Sequence, residues 1–100
     1  MNKQKIDEIL GDSVVAAINA VGGSATKSAT EVRAYAAERT AKLTMAVGHP
    51  GFEKVAEHEA VNVAMFAGIE AVKLARVVDG QTIGLIQGAM AFAARAAVTA

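Results

Sequence analysis

Apolar positions recur along this chain at the three- and four-residue intervals of helix faces. Three glycine-bearing marks punctuate them: Gly22-Gly23-Ser24, Gly48-His49-Pro50-Gly51 and Asp79-Gly80. Four helical segments are therefore expected, over residues 3–21, 24–47, 51–78 and 81–98. In the first, Ile6, Leu10, Ser13, Val14, Ala17, Ala20 and Val21 fall along one face, and Lys5, Glu8, Asp12 and Asn19 take the polar side.

The second segment has two possible starts. Ser28-Ala29-Thr30-Glu31 has the Ser-x-x-Glu form of a capping box, and the expected start lies earlier, at Ser24. Ala25, Ala29, Val32, Ala36, Leu43 and Val47 then make a narrow seam of mostly small residues, suited to close helix pairing. Lys27 with Glu31 and Glu38 with Lys42 are four apart and lie opposite it, worth about 0.2 to 0.5 kcal/mol each.

Gly48 can end that helix in a left-handed conformation and Pro50 can open the next, so the chain should reverse there into a helical hairpin. The third segment is apolar around most of its circumference, with Phe52, Val55, Val61, Val63, Met65, Phe66, Ile69, Val72 and Leu74. Such a helix needs neighbours on several sides. Asp79-Gly80 is expected to separate it from the fourth segment, where Gly80, Gly84 and Gly88 recur every four residues and Ala91 continues the strip. Small residues so spaced let another helix approach closely.

Composition sharpens this picture. Alanine fills 23 of the 100 positions, and 53% of the chain is apolar, which argues against intrinsic disorder. Only 30 residues are larger apolar ones (Val, Ile, Leu, Met, Phe or Tyr), so a lone monomer should have a thin core to set against an ordering cost of about 1.5 kcal/mol per residue. The fold class expected is all-α: alanine-rich helical hairpins in a single domain over residues 1–100, forming a three- or four-helix bundle completed by oligomerisation.

Ten basic residues balance ten acidic ones, with neither sign forming a run longer than two, so nucleic acid is not an expected partner. The chain has no cysteine, which removes disulfides and thiolate metal sites. Asp7, Glu8 and Asp12 interrupt the stretch where a signal peptide would be apolar, so no export signal is expected and the protein should stay in the cytoplasm or enter a particle. The longest uncharged run, residues 80–94, is 15 residues against about 20 for a bilayer span.

Glu53, Glu57, His58 and Glu59 form the densest ionisable patch, followed by Asn62. Neither Glu-x-x-His nor His-Glu-x-x-His is met, because Val55 precedes His58 by three and Asn62 follows it by four. The patch reads first as an acidic helix N-terminus and only secondarily as a metal site. Glu59, Asn62, Glu70 and Lys73 make a polar track on the third helix, and pairing with Arg33, Arg39 or Arg95 on another helix would let it fix register.

No nucleophile elbow, phosphate loop or dinucleotide fingerprint occurs. The function expected is non-enzymatic and without a cofactor: a structural or adaptor subunit of a larger helical assembly, such as a small virion, secretion-apparatus or filament component. It should contact copies of itself or other helical subunits through Ala25, Ala29, Val32, Ala36, Leu43, Phe66, Ile69, Gly84, Gly88 and Ala91, with Glu59, Asn62, Glu70 and Lys73 as the register track. A membrane-active helical hairpin and a metal-binding bundle are the alternatives.

Overall fold

Local capping explains where the helices begin and end. A computed structural model describes residues 3–20, 25–69, 72 and 80–99, and these are helical or turn-like throughout, without a strand. Among the described residues five α-helices are delimited, in order α1 (Lys3–Leu10), α2 (Ser13–Ala20), α3 (Ala29–Leu43), α4 (Phe52–Ala67) and α5 (Gln81–Thr99), and a 3-10 turn, Thr44–Ala46, extends α3.

The first expected helix is two. Gly11 takes a left-handed conformation (φ 54°) and its N–H caps Asp7 O at 2.9 Å, while Asp12 O accepts the first α2 bond from Ala16 N at 2.8 Å. The bend turns both pieces onto the core: Ile6 and Leu10 of α1 are buried, as are Val14, Ala17 and Ile18 of α2. Ser13 and Ala20 are exposed, and Ile18 takes the place given to them on the inward face.

Ser28, not Ser24, starts the next helix. Its backbone is extended (φ −66°, ψ 155°), and its Oγ accepts from Glu31 N and donates to Glu31 Oε1, both at 3.2 Å. Of the seam predicted on α3, Val32, Ala36 and Leu43 are buried inside this one chain, joined by Ala37 and Thr40. Ala25 and Ala29 are exposed, and Val47 lies beyond the helix, half-buried. The Thr40 hydroxyl is satisfied within its own helix, donating to Ala36 O at 2.7 Å.

The chain does reverse between α3 and α4, with Gly48 left-handed (φ 86°) and Gly51 immediately before α4. The third expected helix then stops well short of residue 78. Gly68 adopts φ 70°, its N–H bonding Met65 O at 3.0 Å while Ile69 N–H reaches Ala64 O at 3.5 Å and Ile69 buries its side chain. This is a Schellman ending with its usual hydrophobic contact. Thr26 reinforces it from across the fold, donating both its N–H (2.8 Å) and its Oγ1 (3.0 Å) to Ala67 O. Gly80 is also left-handed (φ 64°), so it precedes α5 and is not part of a strip on it.

Of the 23 apolar residues buried among those described, 11 are alanine, so helices meet largely through backbones and methyls. On α4, Ala56, Ala60 and Ala64 recur every four residues and are fully buried; α5 contributes Ile83, Ile86, Met90, Ala93, Ala94 and Ala97. The α5 helix packs on all four others, most extensively on α4. A radius of gyration of 12.3 Å, against about 13 Å for 100 residues, is that of a compact chain. The accessible surface of 5558 Å², against about 5300 Å² from monomer scaling, says the same. The shortest dimension, 17 Å, is two helix layers.

Candidate functional site

Among the described residues, three polar clusters tie elements together. Glu59 is buried between α3 and α4. Arg39 Nε and Nη2 grip its two carboxylate oxygens at 2.8 Å each, and Asn62 Nδ2 donates to Oε1 at 2.8 Å. Bidentate pairing of this kind is both strong and directional. The hydrogen bond to Glu59 raises Arg39 above the ordinary guanidinium value, with burial pulling the other way. Two members of the polar track, Glu59 and Asn62, are thus engaged inside the chain, where they fix α3 against α4. Glu70 and Lys73 lie outside the described residues.

Arg33 joins α3 to the α1–α2 corner, its Nε 3.2 Å from Asp7 Oδ1 and its Nη1 2.9 Å from Asp12 Oδ1. Arg95 of α5 bonds Glu53 Oε1 of α4 at 2.8 Å and lies over the Phe52 ring at 4.5 Å. Gln87 Nε2 adds bonds to Glu53 O and Oε2, both 3.1 Å. The acidic patch read from the sequence is therefore divided: Glu53 faces α5, Glu59 faces α3, and Glu57 and His58 are exposed. Among the described residues no three His, Cys, Asp or Glu side chains converge on a point where a cation could sit.

Phe66 is half-buried, stacked on Tyr35 with centroids 4.2 Å apart and planes within 4°, with Lys27 Nζ 5.5 Å from its centroid. A 550 Å³ surface hollow opens beside this stack along α3, rimmed by Asp7, Glu31 and Glu38, with Arg33 also lining it.

The remaining large feature is apolar. On the outward side of α5, Phe92 is 67% exposed and Leu85 44% exposed, while Gly84 and Gly88 have no atom within 4 Å of where a Cβ would stand. Seven residues of helix bring Leu85 and Phe92 within about 20° of one another, and four bring Gly84 and Gly88 within about 40°. The face is thus a ridge of two large side chains beside a groove of two glycines. Arg95 is the one charge in α5, and it is already held by Glu53.

Among the residues expected at an interface, Gly84 and Gly88 lie on this face, whereas Ala91, Val32, Ala36, Leu43 and Ile69 are in the chain's own core. Sequence reasoning missed Leu85 and Phe92. The signal was present in their seven-residue spacing beside the glycines, but Ile83, Ile86 and Met90 put large apolar residues on the other side of the helix as well, leaving little contrast to say which side faced out. No protein-family model matches the chain, and neither a curated protein nor a solved structure is significantly similar to it.

Proposed function

We propose that this protein is a non-enzymatic structural or adaptor subunit, joining a larger helical assembly through the outward face of α5. One observation carries the reading: a 19-residue helix presents Phe92 and Leu85 to solvent beside two open glycines. Large apolar side chains exposed on one helix face beside open backbone fit an interaction site. Retaining Gly84 and Gly88 costs the helix about 1 kcal/mol each relative to alanine, a sacrifice that close approach by another helix would offset. In this reading the helical bundle is completed by copies of the chain or by other helical subunits.

The test is absolute mass by light scattering on a size-exclusion column, with circular dichroism on the same detergent-free sample. A helical species larger than one chain that shrinks in the double variant Gly84→Leu, Gly88→Leu, at unchanged or higher helicity, supports the reading. An assembly indifferent to that variant removes α5 from the interface.

A second reading has one observation in its favour. By length and composition α5 is the one helix among the described residues able to cross a membrane. Against it, 44% of that stretch is buried against the rest of the chain, so insertion would require α5 to leave the core. Solubility only in detergent would move this reading to first place.

A further inference from the structure

We draw no further inference here: the strongest candidate, the acid-rimmed surface hollow along α3 beside the Tyr35–Phe66 stack, carries nothing because its Asp7 is already bonded to Arg33 and its Phe66 ring already lies beneath Lys27, and nothing in the structure shows what would fill it.

Discussion

At Gly68 a single missing side chain decides how α4 ends. Its φ of 70° lies where an L side chain is strained, and an added Cβ would run into Thr26 Oγ1, the group that caps Ala67 O. Gly68→Ala should therefore destabilise the fold by about 2 kcal/mol, read as a lower chemical-denaturation midpoint. The same substitution at Gly88, which is helical with open space around it, should stabilise the monomer by about 1 kcal/mol. Opposite signs for one chemical change would separate backbone strain from helix propensity. The Arg39–Glu59 pair is the other residue-scale determinant. Truncating Arg39→Ala leaves a buried carboxylate with only Asn62 for company, and should cost about 3 kcal/mol; Arg39→Met with Glu59→Met should recover most of that loss. If the double variant is no more stable than Arg39→Ala, the loss is one of packing rather than of an unpaired charge. That Glu59 needed a cationic partner on another helix was legible in its place on an apolar helix. Choosing Arg39 from three arginines required the antiparallel setting of α3 on α4.

Among the elements, α3 shows local chemistry overruling the expected start at Ser24. Its start is written in Ser28 and Glu31, and Ser28→Ala should lower stability by about 1 kcal/mol, a fall of about 4 to 8 °C in the thermal midpoint for a domain of this size. An unchanged midpoint would mean that packing alone holds the first turn. The chain reversal at Gly48 was legible, because a glycine and a proline close together leave few alternatives. The helix ends at Gly11 and Gly68 were not. A glycine costs a helix only about 1 kcal/mol, which tertiary contacts can easily outweigh, and Gly84 and Gly88 remain helical while Gly11 and Gly68 do not. At Gly68 the balance is tipped by Thr26, 42 positions away in sequence, and by burial of Ile69.

At the scale of the whole molecule, the core formed by the described residues does not use the exposed face of α5, so folding and association should be separable. Phe92→Asp at low protein concentration should unfold at the wild-type denaturant midpoint, within about 0.5 kcal/mol, because Phe92 is 67% exposed in the single chain. A large shift would mean that Phe92 stabilises the isolated chain. Alanine governs what could be known in advance. By itself the sequence determined the helical class and the reversal near Gly48, and it offered Ser28 as a cap without choosing it over Ser24; these follow from local propensity and turn chemistry. Only the tertiary structure decided which glycines break helices, that Glu59 pairs with Arg39, and that Val32, Ala36 and Ala91 face inward while Leu85 and Phe92 face out. The physical reason is that a methyl on every side of a helix carries almost no hydrophobic contrast, so the buried side is chosen by what packs against it.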